Sequence, residues 1–323
     1  MKPICALLLA TLGLALGTPA EAQTWPTKPL RAIAPTEAGS IADLVPRVVF
    51  EQLSRQLGQT IVVENRTGAG GTIAAAFVAK SEADGYTLLV HSVAHTIAPS
   101  LYPSLSYHPA RDFAAVIPLG ISPNVLVVSP ARGFTTAGDL VAAAKAKSGS
   151  LTFASVGIGT ATHLSAERFR ASTGIEAVHV PFRGGPQAIS EVMAGRVDFF
   201  FGPVGLVLPH VREGTLVALA VNGARRAAAL PNVPTTLEAG FANAEYPIWL
   251  GIFLPVKTPR AIVDKLHRET VTALQATDVR EKMANLAVDP LIMTPTEFDA
   301  YVAKEVALNA ALVNTAGLKP NDQ

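Results

Sequence analysis

Short apolar runs alternate with longer segments of helical periodicity along this 323-residue chain. β-Branched and apolar residues at 30–34, 60–64 and 86–90 predict three buried strands. Apolar positions spaced by three and four residues at 41–57, and an alanine-rich stretch at 72–79, predict helices between those strands. Short strands separated by helices are typical of a parallel, doubly wound sheet. The first part of the chain therefore indicates an α/β unit.

The same alternation restarts after residue 123, although the sequence itself does not repeat. Near the C-terminus, an amphipathic helix through Ile262 and Leu274 precedes another that begins near Pro295, with Thr294 as its cap and Glu297 in its first turn. Two α/β halves leave a groove between them, and ligands of such sheets bind at the loops that follow the strands. The predicted strands of the second half lie at 124–128, 151–155, 176–180, 197–201 and 216–221, and its helices at 139–146, 161–171 and 185–194.

The first residues have the pattern of a secretory signal. Lys2 supplies a positive charge, residues 4–17 are mostly apolar, and Ala20-Glu21-Ala22 offers an A-x-A cleavage pattern. The apolar run is shorter than the roughly 20 residues that a bilayer-spanning helix needs. We therefore expect a signal peptide at 1–22, cleavage after about Ala22 and a periplasmic protein.

Composition excludes several classes of protein. Lys and Arg total 26 and Asp and Glu total 25, so the net charge is +1, and no basic stripe interrupts the pattern. This balance argues against a nucleic-acid partner. The single cysteine, Cys5, lies within the predicted signal, so the core must stabilise the mature chain without disulfides. The roughly 300 remaining residues can bury about three quarters of the unfolded surface.

Patterns of catalysis and metal binding are weak. His91 and His95 form an HSVAH spacing, which lacks the glutamate of an HExxH zinc motif and follows directly on a predicted strand, where we expect a loop. No Gly-x-Ser-x-Gly elbow is present, although a triad assembled from distant residues stays open as an alternative. We therefore expect no catalytic residue, no metal site and no cofactor.

Three glycine-containing loops connect predicted strands to predicted helices. TGAGGT at 67–72 does not fit G-x-G-x-x-G or a P-loop, so tight turning and close packing explain it better than a phosphate site. PTEAGS at 35–40 and SVGIGTATHL at 155–164 lead into helix N-termini, where exposed N–H groups can receive an anion. Alternatively, Ser40, Thr160 and Thr162 only cap their own helices. One helix end contributes about 0.3–1 kcal/mol and micromolar binding needs about 8 kcal/mol, so we expect two loops to act together.

Several long segments resemble a known family. WPTKPLRAIAP, VVENRTGAGGTIAA, LTFASVGIGTATHL, VHVPFRGGPQAI and LPNVPTTLEAG follow the order of the Bug/TctC receptors of tripartite tricarboxylate transporters, from about Trp25 to the C-terminus. The resemblance implies an α/β, type II periplasmic-binding-protein fold: two lobes with a cleft and a two-strand hinge. It places lobe 1 at 23–124 plus 252–323 and lobe 2 at 125–251, with crossing strands near 124–128 and 251–254.

The resemblance also implies where a ligand binds. The loop after the first strand and the loop before the T-x-x-H-L helix would receive carboxylate groups, and the loops near 92–95 and 182–184 would line the cleft. His163 can donate to the ligand or simply pack, and Glu37 would repel a carboxylate unless it points outward or pairs with a cation such as Arg183. The expected ligand-binding residues are Thr36, Ala38, Gly39, Ser40, Ser92, His95, Ser155, Gly157, Gly159, Thr160, His163, Phe182, Arg183 and Gly202.

Gly202 stands where the family commonly carries an acidic residue. Because an acid there would suit an ammonium group, its absence argues against an amino-acid ligand. Phe182, Phe201 and Pro203 nearby favour an aromatic or apolar carboxylate, beside the di- and tricarboxylates. The resemblance implies a monomeric receptor that delivers a small carboxylate to the membrane permease subunits of a tripartite transporter. A periplasmic sensory receptor and a secreted hydrolase are the alternatives.

Overall fold

A computed structural model describes residues 25–223 and 225–315, so the predicted signal at 1–22 lies outside the described residues. The strands are β1 (Leu30–Ala34), β2 (Ile61–Asn65), β3 (Thr87–Ser92), β4 (Phe113–Ser122), β5 (Asn124–Val128), β6 (Leu151–Ser155), β7 (Ala177–Pro181), β8 (Phe199–Pro203), β9 (Val217–Asn222) and β10 (Ile248–Pro255). The helices are α1 (Ile41–Leu57), α2 (Thr72–Ala79), α3 (Ala94–Leu101), α4 (Ala137–Ala146), α5 (Ala161–Thr173), α6 (Gly185–Met193), α7 (Val204–Arg212), α8 (Arg260–Gln275), α9 (Thr277–Asn285) and α10 (Pro295–Thr315).

The described strands form two five-stranded sheets. The first has the order β2-β1-β3-β10-β4 and the second the order β7-β6-β8-β5-β9. In each sheet three neighbouring strands run parallel. A fourth strand pairs antiparallel with one of them: β10 with β3 in the first sheet, and β5 with β8 in the second. The predicted two-sheet α/β architecture is confirmed. None of the described helices has the length and apolar character needed to cross a membrane.

The alternation of side chains along each strand explains why helices cover both faces of the first sheet. Ala32 and Leu88 face the cluster formed with α1, α8 and α9, whereas their chain neighbours Ile33 and Leu89 face the cluster formed with α2, α3 and α10. Successive strand side chains point to opposite faces, so a strand buried on both faces is apolar throughout. The short uninterrupted apolar runs in the sequence therefore correspond to central strands.

The chain passes between the two sheets twice. β4 ends at Ser122, Pro123 follows, and β5 begins at Asn124 in the second sheet. The return lies between Asn222, at the end of β9, and Ile248, at the start of β10. The sequence predicted that the strand at 251–254 crosses between the lobes. Instead, β10 pairs with β4 from Ile248 to Pro255 and so lies wholly in the first sheet. Strand pairing favours a lobe boundary before Ile248, and the division into lobes stays a prediction.

The HSVAH segment differs from its predicted loop geometry. β3 continues through His91 to Ser92 and α3 begins at Ala94, so His95 is helical. Val93 already has helical dihedral angles, and Ile97 packs in the core on the same helix. The helix was not evident in the sequence because Pro99 lies inside it, and proline is unfavourable in helix interiors.

Replacing Gly251 with alanine is expected to lower the free energy of unfolding by about 1–3 kcal/mol, because overpacking a filled core displaces side chains. A Cβ at Gly251 would lie 2.4 Å from Cζ of the fully buried Phe298. The matched control is Gly138→Ala in the exposed first turn of α4, where the nearest atom would lie 3.4 Å away. We expect that change to stabilise by up to about 1 kcal/mol. Chemical denaturation measures both, and equal effects would contradict the packing at Gly251.

Candidate functional site

Loops from the two sheets meet at three places. A Cβ at Gly159 would lie 2.7 Å from Leu101 Cδ1, so the second-sheet loop approaches α3 only because it has glycine there. A Cβ at Gly70 would lie 3.5 Å from the carbonyl oxygen of Ile158. On the same measure, the Glu37 carboxylate lies 3.5 Å from the Cβ position of Gly184. These contacts bring the loops at 35–40, 69–71, 157–160 and 182–185 to one cleft.

A buried carboxylate holds the first of these loops. Asp43 accepts a hydrogen bond from the Gly39 N–H at 3.0 Å and others from Asn65 Nδ2 at 2.8 Å and Arg47 Nε at 2.9 Å. Asn65 also donates to the Thr36 carbonyl at 2.9 Å. Asp43 therefore ties both ends of the loop to α1 and β2. In the sequence this role was visible only as an Asp–Arg pair four residues apart on a helix.

The charge of Asp43 is stabilised by its partners. Burial by itself opposes ionisation, but hydrogen bonds from Arg47, Asn65 and the Gly39 N–H outweigh it and hold the pKa of the carboxyl below its ordinary value. Its side chain is only 2 % exposed. The carboxylate therefore acts as a permanent acceptor beneath the loop.

The first loop presents hydroxyl and N–H groups at the start of α1. Thr36 Oγ1 and Ser40 Oγ lie 2.7 Å apart, and Ser40 occupies the N-cap position without a side-chain hydrogen bond to the helix. Two hydroxyls that share one hydrogen bond keep one proton to donate. The N–H groups of Ile41 and Ala42 have no hydrogen-bond partner within the described part of the chain. The alternative in which Ser40 only caps its own helix is therefore wrong.

The second loop directs most of its own polar groups inward. The Gly157 N–H donates to Ser155 Oγ at 3.0 Å, and the Gly159 N–H donates to His163 Nδ1 at 3.1 Å. The Thr160 N–H and hydroxyl both contact the Gly157 carbonyl, at 3.3 Å and 2.7 Å. The expectation that these glycine N–H groups receive a ligand is not supported by their geometry, because they are already bonded inside the loop.

The N–H groups left over lie at the start of α5. Those of Ile158, Ala161, Thr162 and His163 have no hydrogen-bond partner among residues 25–223 and 225–315. Thr160 is the N-cap residue, and its hydroxyl contacts that of Thr162 at 3.1 Å but makes no capping bond to a backbone N–H of the helix. Thr162 instead accepts from the Val156 N–H at 3.0 Å. The first turn of α5 is therefore the part of this loop with donors available for an anion.

Ser155 is placed beneath the loop rather than at its surface. It is fully buried, and its hydroxyl contacts the Gly157 carbonyl at 3.2 Å, the Gly157 N–H and His179 Nε2 at 2.6 Å. His163 is also buried, 3 % exposed, with its ring stacked on His179 at a centroid distance of 4.1 Å. His179 was not predicted, because a lone histidine in a strand carries no pattern that distinguishes it from a packing residue.

Of three other expected residues, His95 and Gly202 lie in the cores of the two lobes, whereas Ser92 ends β3 beside the start of the first loop. His95 is fully buried in lobe 1 between Tyr107, Phe113 and Phe253, with ring centroids 4.8–5.7 Å away. Gly202 is buried within the second sheet, where a Cβ would lie 2.6 Å from both Phe200 and Val207. Ser92 hydrogen-bonds locally, its N–H to His91 Nδ1 and its hydroxyl with the Ala94 N–H.

The position of Gly202 corrects the reasoning about ligand type. An acidic side chain there would meet the core of its own lobe, so the absence of an acid does not discriminate between ligands. Phe201 is fully buried against Phe169 and Phe199 on the opposite face, and so cannot favour an aromatic ligand. The preference for an aromatic carboxylate thereby loses this support.

Phe182, Arg183, Ala38 and Glu37 lie at the rim of the cleft. Phe182 is half-buried and its N–H donates to the Ser155 carbonyl at 2.9 Å. Arg183 and Ala38 are exposed, and Arg183 makes no ion pair within 4 Å in the described residues. Glu37 directs its carboxylate at Gly184, the N-cap residue of α6, where the helix dipole stabilises a negative charge. Glu37 therefore faces lobe 2 across the cleft.

The glycine loop at 67–72 packs tightly rather than forming a phosphate cradle. A Cβ at Gly71 would lie 2.6 Å from His91 Nε2 and 2.9 Å from Pro35 Cβ, and φ is +94° there. The expectation of tight turning and close packing is confirmed. Across the described residues, no group of three histidine, cysteine or acidic side chains is arranged to hold a metal.

A second concavity lies at the chain crossings. It has a volume of about 200 Å³ and is lined largely by alanine and proline, with Pro123 and Pro247 from the two crossings. Its Arg225 is paired with Asp289 at 2.7 Å, and Arg226 with Glu238 at 2.8 Å. Because both cations are already paired, the cleft between the loops suits a carboxylate better than this cavity does.

The chain matches the family described as "Tripartite tricarboxylate transporter family receptor" over residues 45–318. It belongs to that family. Protein BugT of Bordetella pertussis is 35% identical over 98% of this chain and 97% of its own length. An uncharacterised-family protein from the tcbD-tcbE intergenic region of Pseudomonas sp. (strain P51) is 35% identical over 87% of this chain and 85% of its own. The resemblance stated from the sequence is confirmed.

Solved structures of the family have the same fold. A protein of R. palustris with adipate superposes with a TM-score of 0.86 at 31% identity, covering 92% of this chain and 100% of its own. MatC from Rhodopseudomonas palustris, with bound malate, superposes at 0.82 with 29% identity, covering 90% of this chain and 100% of its own. The type II periplasmic-binding-protein fold of the family is thus the fold of this chain, and it is a fold of solute-binding receptors rather than enzymes.

Removing the carboxylate of Asp43 is expected to destabilise the first loop. Asp43→Ala leaves the Gly39 N–H without its acceptor and Asn65 Nδ2 with only the Thr36 carbonyl, so we expect the free energy of unfolding to fall by about 1–3 kcal/mol. Asp264→Ala is the matched control, because Asp264 also pairs with an arginine four residues away but is 40% exposed. Its loss should cost at most about 0.5 kcal/mol. Urea denaturation that gave equal losses would show that Asp43 does not hold the loop.

Acid is expected to destabilise the protein through its buried histidines. Burial, reinforced by repulsion from Arg170 and from His179 when that ring is protonated, lowers the pKa of His163 to about 3. Below about pH 6.5 the folded state therefore binds fewer protons than the unfolded state. As the pH is lowered, the free energy of unfolding decreases by up to about 1.4 kcal/mol per pH unit for this group. Glu167, whose pKa burial raises, acts in the opposite direction.

The comparison that isolates His163 is wild type against His163→Asn. Between pH 7 and pH 5, we expect the variant to lose about 2 kcal/mol less stability than wild type, because one buried titrating group is gone. Urea denaturation at each pH measures the difference. Parallel pH profiles would mean that His163 is not a buried neutral group in the folded protein.

Proposed function

We propose that this chain is a periplasmic solute-binding receptor that captures a small carboxylate between its two lobes for a tripartite tricarboxylate transporter. The observation that carries the proposal is the pair of helix N-termini, α1 and α5, whose first N–H groups have no partner in the described residues. Both adjoin the cleft in which loops of the two lobes meet. The family is one of receptors, which agrees with this use of the site.

The chemistry of a carboxylate suits these donors. A carboxylate has two oxygens and about four lone-pair sites, and it accepts backbone N–H and hydroxyl groups together. Hydrogen bonds to a charged group contribute about 1.5–3 kcal/mol each, and a partly buried helix end up to about 2 kcal/mol. Two helix ends with the hydroxyls of Thr36 and Ser40 can therefore approach the roughly 8 kcal/mol that micromolar binding requires.

Aliphatic dicarboxylates are the ligand class that we propose. Two solved structures that are similar to this chain hold adipate and malate, both with two carboxylate groups. Two separate groups of free N–H donors, one at α1 and one at α5, suit a ligand with an acceptor at each end. Phe201 and Gly202 belong to the core of lobe 2, so they do not favour an aromatic acid over an aliphatic dicarboxylate.

Delivery follows from the family. We propose export to the periplasm with cleavage after about Ala22, a monomer in solution, and transfer of the ligand to membrane permease subunits. A sensory receptor would use the same closure around the same ligand, and its partner would be a signalling protein instead.

A secreted hydrolase is the weaker alternative, although Ser155 and His179 lie 2.6 Å apart like a nucleophile and its base. Ser155 is fully buried and its hydroxyl is bonded inside its own loop. A nucleophile must reach a substrate carbonyl, and a third group must orient its base. No acidic side chain hydrogen-bonds to His179 in the described residues, so the pair has a structural role.

A thermal-shift screen of residues 23–323 tests the function directly. The panel is adipate, malate, citrate, benzoate and aspartate at up to 1 mM. At a concentration 100 times Kd, a ligand stabilises by about 2.7 kcal/mol, which corresponds to a rise in Tm of several degrees. We expect adipate or malate to give this rise. No shift with any acid in the panel would contradict the proposal.

A hydroxyl deletion tests the location of the site. Thr36→Val keeps the shape of the side chain and removes its hydroxyl, so we expect about five- to thirtyfold weaker binding of the stabilising acid by calorimetry. Thr272→Val is the control, because that hydroxyl bonds only to the Arg268 carbonyl on the exposed face of α8. Equal affinity in the Thr36 and Thr272 variants would move the site away from the first loop.

A further inference from the structure

A stack of rings lies directly beneath the second loop. The ring of His163, on α5, stacks on that of His179, on β7, at a centroid distance of 4.1 Å and an interplanar angle of 22°. His179 stacks in turn on Phe153 of β6 at 4.9 Å and 19°. Each imidazole also hydrogen-bonds to the second loop. His163 Nδ1 accepts the Gly159 N–H, and His179 Nε2 shares a hydrogen bond with Ser155 Oγ. The two histidines thus contact both ends of the loop from below.

The hydrogen bond from Gly159 determines the protonation of His163. Nδ1 accepts that N–H, so it carries a lone pair, and the proton of the neutral ring is on Nε2. Nε2 faces Glu167 Oε1 at 3.7 Å. An imidazolium would carry a proton at Nδ1 as well and could not accept from Gly159. The observed loop conformation therefore requires a neutral His163.

The surroundings keep both rings neutral. The charged and titratable groups that face them in the described residues are Glu167 and Arg170 of α5, with Glu176 beyond. Glu167 is bound by Arg170 at 2.8 Å through both carboxylate oxygens, so its charge is already balanced. Burial, reinforced by Arg170, lowers the pKa of His179 to about 4. Neither ring carries a charge at neutral pH.

We propose that His163 and His179 are positioning residues of the ligand site, a stacked pair of neutral imidazoles that holds the 155–160 loop so that the first turn of α5 is open to a carboxylate. The inference rests on the proposed function, because it concerns the same cleft. By binding the Gly159 N–H and fixing Ser155, the pair turns the loop's own polar groups inward. The donors of Ile158, Ala161 and Thr162 then remain for the ligand.

Two pairs of variants separate hydrogen bonding from packing. His163→Phe preserves a stacked ring and removes the acceptor, whereas His163→Asn keeps an acceptor near the Nδ1 position. His179→Phe and His179→Gln make the same distinction at Nε2. Calorimetry with adipate and with malate measures Kd for each protein, and urea denaturation reports whether it is folded.

Loss of the hydrogen bond should weaken binding by about tenfold or more. His163→Phe leaves the Gly159 N–H without its acceptor, and His179→Phe leaves Ser155 Oγ without its histidine partner. We expect this in both phenylalanine variants, with recovery to within about threefold of wild type in His163→Asn and His179→Gln. His267→Phe, which removes a histidine of α8 that hydrogen-bonds to the Met293 carbonyl, should leave Kd within about twofold. Wild-type affinity in folded His163→Phe and His179→Phe would overturn the inference while leaving the receptor function intact.

The protonation state gives a readout that does not depend on a ligand. In ¹⁵N-histidine-labelled wild type at pH 7, we expect ring-nitrogen shifts of His163 that show a proton on Nε2 and none on Nδ1. A protonated Nδ1 would overturn the proposed role even if every variant bound weakly. If wild type binds neither adipate nor malate, the proposed function fails instead, and the same spectrum still decides the hydrogen bond to Gly159.

Discussion

The structure of the cleft depends on one constraint: each backbone N–H in a loop is either bonded inside the protein or open to water and ligand. In the first loop, the buried carboxylate of Asp43 takes the N–H of Gly39. In the second, His163 and Ser155 take those of Gly159 and Gly157. What remains is the first turn of a helix on each side, where the donors of a helix have no partner of their own.

The two loops reach this result with different chemistry. Asp43 is charged, and Arg47 and Asn65 offset the cost of burying it. His163 is a neutral acceptor and needs no counter-ion of its own. A neutral support adds no negative charge beneath the α5 N-terminus, so the positive end of the helix dipole is not weakened there. A carboxylate in the same position would oppose an anionic ligand, and the first loop tolerates one because it is paired.

Contacts between the lobes depend on the absence of side chains. Gly159 lies against Leu101, and Gly70 lies against the carbonyl of Ile158, at distances that a Cβ would shorten below or close to van der Waals contact. Glu37 reaches Gly184 across the same cleft. Both crossings of the chain, at Pro123 and before Ile248, lie near the same edge of the first sheet as these loops, because Ile248 pairs with Ser122 and Leu250 pairs with Ser92. Closure of the lobes around a ligand stays a prediction, and it would serve a transport receptor and a sensory receptor equally well.

Periodicity and local motifs determined much of this protein from the sequence alone. The bounds of β1, α1 and α2 follow from spacing that local backbone geometry requires, and the long segments identified the family. Ser155 and His163 were predicted from the sequence as ligand-binding residues, but the tertiary structure places them beneath the loop, where they hydrogen-bond to it. Their partner His179 comes from a separate strand, 24 residues after Ser155. Pairings at such separation, and the face on which Gly202 or His95 lies, depend on packing of the whole chain, and no local pattern encodes them.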